Sequence, residues 1–416
     1  MPIRSEWKLA REGTLSTPVP CGGTVRYLPP PPALGSSRPA LGAQCSPNPQ
    51  THPHIAHLGW TTDTTTRLLK ATAFNPLVTL PLILAAKYTS RGARIASQNE
   101  TLFRTLKSLV ALGVLGSISG FLDDKVVNNW KSDEWDWKKE VVVVTGGSDG
   151  IGKSIVFLLA EKGIKVGVLD VQPLTYEAPP SVQFFQCDLG SKEAIEATAS
   201  SVRSALGDPT VLINNAGVAR GKSILDSTEK DIRLTFNVNA LSHYFLAHQF
   251  LPSMIQRNHG MIVTVASLAA YLPAPNMVDY ASSKAAALAF HEGLSAELAT
   301  HYKADKVRTV VMCQGYTRTA LFEGFAGNSL YPETVAEEIV KAVLKGRSAH
   351  LVVPESAWGI VPKVRGWSLW MQYGLRKGLK NVMKSWKGRQ VAQPSEAHVE
   401  KEIKGVEESA VLVKEH

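Results

Sequence analysis

From residue 138 onward, short apolar runs alternate with longer amphipathic stretches. The runs Glu140–Thr145, Val166–Asp170, Val182–Cys187, Thr210–Asn214, Gly260–Ala266 and Lys306–Cys313 are too short for helices and rich in β-branched residues, which predicts buried strands. Between them, Gly152–Lys162 and Ser191–Leu206 carry apolar residues at helical spacing, and a longer helix precedes Gly260. This alternation predicts an α/β fold over residues 138–350, a doubly wound parallel sheet covered by helices on both faces.

The flanks follow other patterns. Residues 1–60 hold eleven of the 24 prolines, including the run Pro29–Pro32, and show no hydrophobic period, so a disordered segment is expected over 1–70. Residues 1–60 are short of acids (Glu6 and Glu12 only), a trait of organellar transit peptides. The prolines disfavour an amphipathic targeting helix, and mitochondrial targeting is the less favoured reading. Residues 71–137 contain two uncharged apolar stretches, Ala71–Ala86 and Ser108–Leu122, each shorter than the roughly 20 residues a spanning helix needs. Gly113, Gly116 and Gly120 space the second, and Lys87, Arg91, Arg94, Arg104 and Lys107 flank it. That combination favours a membrane-embedded hairpin or interfacial segment over helices packed on the adjacent domain, with Trp130, Trp135 and Trp137 at headgroup level.

Over residues 351–392, Trp367, Trp370, Met371, Leu375, Leu379, Val382, Met383 and Trp386 recur at steps of three and four, one face of a C-terminal amphipathic helix. Arg376, Lys377, Lys380, Lys384 and Lys387 occupy the rest, and no acidic residue occurs from Ser356 to Gln393. A basic, tryptophan-bearing amphipathic helix predicts attachment to a membrane surface, the alternative being packing on the domain or on a second subunit. Residues 393–416 form a charged tail.

Charge sharpens this division. The chain has 416 residues and a net charge of +9. Residues 138–350 hold 20 basic and 20 acidic side chains, so the surplus lies wholly in the flanks, as do all nine tryptophans. A neutral central module between basic, apolar flanks argues for a membrane partner and against nucleic acid. The four cysteines, at 21, 45, 187 and 313, show neither a disulfide framework nor metal-ligand spacing, so a reduced compartment and no metal are expected.

The first predicted strand opens into Thr145-Gly146-Gly147-Ser148-Asp149-Gly150-Ile151-Gly152 and then a helix. Glycines there let the backbone turn and approach a pyrophosphate resting on the helix N-terminus, the arrangement of a Rossmann-like dinucleotide site. Asp170 ends the next strand, eighteen positions after Gly152. Its carboxylate would bond an adenosine ribose and repel a 2′-phosphate, so NAD is expected and NADP is less favoured.

These motifs, with Asp188, Asn214-Asn215-Ala216-Gly217, Ser267 and Tyr280-Ala281-Ser282-Ser283-Lys284, resemble the short-chain dehydrogenase/reductase family over roughly residues 138–350. The resemblance implies that Asp188 contacts adenine, that Asn215, Ala216 and Gly217 line the cofactor cleft beside Gly146, Ser148, Gly150, Ile151 and Gly152, and that Thr319 contacts the nicotinamide amide. It also implies catalysis by Tyr280, Lys284, Ser267 and Asn239. Tyr280 would exchange the proton, which requires lowering its pKa from near 10, and Lys284, four residues later on one helix face, would supply the stabilising ammonium and hold the nicotinamide ribose. Ser267, thirteen residues before Tyr280, would bond the substrate oxygen. Asn239, preferred over Asn237, would support a water-linked proton relay. The family's usual Pro-Gly is Gln314-Gly315 here. His243 and His248 are expected to be structural or solvated.

The segment Leu268–Leu272 and the expected lid Ala320–Phe325 are mainly apolar and lack a basic cluster, which favours an uncharged, lipophilic alcohol or ketone. The whole pattern resembles the membrane-associated branch of the family, with its retinol dehydrogenases and 17β-hydroxysteroid dehydrogenases of endoplasmic reticulum and lipid droplets. The resulting expectation is an NAD-dependent oxidoreductase for a retinoid-, steroid- or lipid-like substrate at a membrane surface, with a homodimer compatible. The alternatives are an NADP-dependent ketone reductase of lipid metabolism and a non-catalytic NAD-binding membrane scaffold.

Overall fold

The structure is a computed structural model that describes residues 62–390, except 326 and 328, together with Pro394. The expectations for residues 1–61 and for the charged tail lie outside the described residues. The first helices are α1 (Thr62–Ala71), α2 (Pro76–Tyr88), α3 (Ser90–Gln98) and α4 (Glu100–Val127). Disorder was expected as far as residue 70, yet α1 is a helix fastened from outside: Asp63 accepts from the Glu355 and Ser356 N–H groups, and Arg67 and Lys70 pair with Glu355. No local pattern could announce those distant partners. At 28 residues α4 outruns its uncharged stretch, and about 42 Å of helix is enough to cross a bilayer. Leu112, Leu115, Ile118 and Phe121 on α4, and Leu77 and Leu82 on α2, are exposed.

The domain that follows runs β1 (Val141–Thr145), α5 (Gly150–Ala160), β2 (Lys165–Asp170), β3 (Val182–Gln186), α6 (Lys192–Leu206), β4 (Val211–Asn214), α7 (Glu229–Phe236), α8 (Ser242–Arg257), β5 (Met261–Val265), α9 (Val278–Thr300), β6 (Arg308–Gln314), α10 (Pro332–Leu344), β7 (Ala349–Val353) and α11 (Leu369–Gly378). The seven strands form one parallel sheet in the order β3-β2-β1-β4-β5-β6-β7. Alternation builds both faces. Val142 and Val144 join Ile155, Leu159, Ile339 and Val343 of α5 and α10 on one side, whereas Val143 and Leu212 join Ile195, Leu246, Phe250 and Leu294 of α6, α8 and α9 on the other. Each such side chain, fully buried, contributes roughly 1.5–3 kcal/mol. β7 crosses the expected boundary at residue 350, so the sheet extends three residues further.

Two flank expectations change. Trp135 and Trp137 stack with ring centroids 5.0 Å apart and pack against the domain, Trp135 also lying 4.4 Å from the His259 ring, so they do not mark a headgroup level. Trp130 alone of the three is exposed. The C-terminal amphipathic helix, α11, ends at Gly378 rather than continuing to Trp386; a 3₁₀ turn follows and the chain turns inward. α4 is fixed to the domain by Asn128, whose side chain accepts from Ser348 N at 2.8 Å and whose carbonyl accepts from the buried Arg308 at 3.1 Å.

Candidate active site

The sheet reverses its winding between β1 and β4, and a cleft of about 540 Å³ opens there at the carboxyl ends of the strands. Thr145 ties its two walls together: its Oγ1 accepts from Asn215 N and Ala216 N, each at 3.0 Å. Gly146 has φ +64, and a Cβ there would stand 2.8 Å from Ala216 Cα. At Gly152 a Cβ would lie 2.0 Å from Gly146 O, so only glycine lets α5 begin this close to the turn. Asp149 caps α5 by accepting from Gly150 N at 2.7 Å.

Asp170 lines the cleft and is already oriented, accepting from Ser148 N at 3.0 Å and Gln172 N at 3.1 Å. Gly146, Gly150, Ile151, Asn215, Ala216, Gly217 and Thr319 also line it. Ser148 lies behind the turn, donating to Gln172 O at 2.9 Å. Asp188 holds the following loop through Gly190 N at 2.7 Å, while its neighbours Cys187 and Leu189 face the cleft. A glycine turn without Cβ atoms at the helix N-terminus, with a fixed carboxylate at the next strand end, fits a dinucleotide.

Tyr280 and Lys284 lie on α9 and Ser267 follows β5; all three are buried and line the cleft. Lys284 Nζ stands 5.9 Å from the centre of the Tyr280 ring and donates to Val265 O at 2.7 Å. Burial pushes Tyr280 up to about 12, the Ser267 hydrogen bond pulling the other way, and burial brings Lys284 down to about 8. Burial is the larger influence on the phenol here, while the Lys284 ammonium is turned to the Val265 carbonyl. Asn239 is fully buried in a π-helical turn, Asn237–Leu241, joining α7 to α8. Its Oδ1 accepts from Val218 N at 2.8 Å, and its Nδ2 donates to Val218 O at 2.9 Å and to Ser283 Oγ at 3.0 Å. Only Gly217 separates it from Lys284: a Cβ there would be 3.4 Å from Asn239 Oδ1 and 3.5 Å from Lys284 Nζ. Asn237 instead faces Gly190 O at 3.5 Å. His243 is buried against Phe290, and desolvation brings its pKa down to about 3, so it is neutral.

Beside Tyr280 the cleft has an apolar chamber walled by Leu268, Leu272, Met277, Phe322 and Phe325, the Phe322 ring centroid lying 5.3 Å from that of Tyr280. Leu379 and Val382, beyond the end of α11, complete that wall, and Arg389 lines the cleft near Asp149. The apolar period sets Leu379 and Val382 on a membrane-facing helix and points to no role for Arg389, whereas the chain leaves that helix after Gly378.

A doubly wound sheet with this turn and a Ser–Tyr–Lys group at the strand ends defines an NAD(P)-dependent oxidoreductase acting on alcohol or ketone groups. The chain belongs to the short-chain dehydrogenase family. The family model described as short chain dehydrogenase matches residues 140–328. Dehydrogenase RED2 of Cochliobolus heterostrophus is 45% identical over 208 residues, which cover 49% of this chain and 78% of that protein. Human estradiol 17-beta-dehydrogenase 11 is 33% identical over 215 residues, or 50% of this chain and 71% of that one. Among solved structures, a short chain dehydrogenase from Burkholderia cenocepacia in complex with NADP superposes with a TM-score of 0.50 at 26% identity, covering 59% of this chain and 99% of that chain.

Proposed function

We propose that the chain is an NAD-dependent dehydrogenase for lipophilic alcohols, such as retinoids, steroids or related lipids, working at a membrane surface of the endoplasmic reticulum or lipid droplets. The observation that carries the substrate class is the apolar chamber directly beside Tyr280. The name of its relative estradiol 17-beta-dehydrogenase 11, a steroid enzyme by that name, supports the same class. Asp170, fixed at the adenosine end, supports NAD over NADP. The exposed apolar side chains of α2 and α4 support the membrane setting.

NAD would occupy the glycine turn, Asp170 and the Asn215–Gly217 wall, and when bound it supplies the hydride acceptor for alcohol oxidation. Tyr280, as the phenolate that the Lys284 ammonium would stabilise, takes the hydroxyl proton of the alcohol and becomes the neutral phenol, while Ser267 hydrogen-bonds the same oxygen. Lys284 places a positive charge beside the phenol. Asn239 holds Val218 and Ser283, keeping the path between Gly217 and Lys284 open for proton exchange.

The test is a panel of retinoid, steroid and long-chain alcohols with both cofactors, run with wild type and Tyr280→Phe. Turnover with NAD that Tyr280→Phe lowers at least about 10²-fold, with NAD binding retained, is expected. Wild type that binds NAD but oxidises nothing would favour a scaffold instead. For the membrane, Leu115→Glu with Ile118→Glu should reduce flotation with liposomes; unchanged flotation would overturn the role of α4.

A further inference from the structure

Past Gly378 the chain runs across the mouth of the active site. Trp386 Nε1 donates to Leu321 O at 2.9 Å, Lys387 N to Glu323 O at 2.8 Å, and Arg389 N to Ala320 O at 2.7 Å. The two segments meet backbone to backbone. A Cβ at Gly388 would stand 1.9 Å from Leu321 O, and one at Gly324 would stand 2.0 Å from Ser385 O. On the other side Gln390 accepts from Arg220 at 2.5 Å and donates to Ala219 O at 3.3 Å. Beneath this crossing the buried Met383 joins Met277, Tyr280, Phe322 and Phe325 in one apolar cluster. Residues 379–390 thus bridge both lips of the cleft.

The end of this crossing carries charge to the cofactor turn. Arg389 Nη2 lies 2.7 Å from Asp149 Oδ2, the carboxylate that caps α5. A pyrophosphate resting at that N-terminus would meet Asp149 as a like charge. Among the described charged residues lining the cleft, Lys284 is buried at the Tyr280 end and Arg220 is engaged with Asp231 and Gln390. Arg389 is the cation at the phosphate end.

We propose that residues 379–390 are a strap completing the active site, in which Arg389 neutralises Asp149 and binds the dinucleotide phosphates, coupling cofactor binding to closure over the substrate chamber. This rests on the dinucleotide reading of the cleft. The test uses the full chain, NAD affinity, and chymotryptic cleavage after Trp386. Arg389→Ala should weaken NAD about 5- to 30-fold, as expected for one partly screened charge-assisted contact. Arg389→Lys should recover most of the loss, and Arg389→Ala combined with Asp149→Ser should recover part, because the repelling carboxylate is gone. NAD should slow cleavage after Trp386 in wild type and much less in Arg389→Ala. Equal NAD affinity and equal protection in wild type and Arg389→Ala would overturn the strap while leaving the dinucleotide site standing. Wild type that binds neither NAD nor NADP would overturn both.

Discussion

Lys284 is the residue whose stability effect and catalytic role are expected to oppose each other. The residue is 2% exposed, and its ammonium donates to Val265 O at 2.7 Å. Burial brings its pKa from 10.5 down to about 8. At about 1.4 kcal/mol for each tenfold change in an ionisation constant, that fall represents about 3 kcal/mol of destabilisation below pH 8. The sign follows from the direction. A lysine with a depressed folded pKa leaves the unfolded chain holding the extra proton between pH 8 and pH 10.5. Wild-type stability therefore rises with pH across that window and is lowest below it. Lys284→Met keeps the side-chain length and removes the charge. It relieves about 3 kcal/mol but loses a charge-assisted bond worth about 1.5 kcal/mol, for a net gain of about 1–2 kcal/mol at pH 7. Near pH 10.5 the gain should vanish and the lost bond remain. Urea denaturation of both proteins at pH 7 and at pH 10 measures this, with turnover recorded alongside. A variant less stable than wild type at pH 7, by a margin that does not change with pH, would refute the burial penalty at Lys284. Turnover retained in the variant would remove Lys284 from the mechanism.

Other consequences can be checked separately. Asp170→Ala should shift selectivity from NAD toward NADP by about 10-fold or more, since it removes the carboxylate that opposes a 2′-phosphate, and unchanged relative affinities would refute that role. The same change leaves Ser148 N and Gln172 N without their acceptor, so the unfolding midpoint should also fall. His259 sits between Asp133 at 2.7 Å and Glu140 at 3.3 Å, and its pKa is raised by the Glu140 bond and then by Asp133. A raised histidine stabilises fully below its unfolded pKa near 6.5 and loses that contribution as pH climbs through the higher folded value. His259→Gln should therefore destabilise by about 1 kcal/mol at pH 5.5–6 and by progressively less toward pH 9, read by thermal melts across that range.

Six of the seven strands were legible to within about two residues because parallel strands buried on both faces read as unbroken β-branched runs. β7 was missed: Ala349-His350-Leu351 is half-buried at the sheet edge and its run is short. The glycine turn and the Ser–Tyr–Lys group were legible because their spacing is local. What Lys284 touches was not, since its partner is the backbone carbonyl of Val265 and any residue could supply one. The packing of Trp135 on His259 and of Asn128 on Ser348 likewise depends on distant partners that leave no periodic trace.

The C-terminal pattern failed for a different reason. A run of apolar residues at steps of three and four records which side chains avoid water, not whether one helix or two unlike surfaces hide them. Leu369, Trp370 and Tyr373 on α11 remain exposed, while Met383 is buried against the active-site cluster only a few residues later. α11 ends at Gly378, and Gly388 allows the close approach to Leu321. The basic residues divide in the same way. Arg376 and Lys377 end α11, whereas Arg389 stands against Asp149 at the cofactor turn. The positive surplus of the C-terminal flank therefore cannot be assigned entirely to a membrane: part of it lies where an anionic cofactor would bind. The same short segment joins an exposed apolar helix to the wall of the substrate chamber, so a lipid surface that engages α11 would act directly on the residues that close the site.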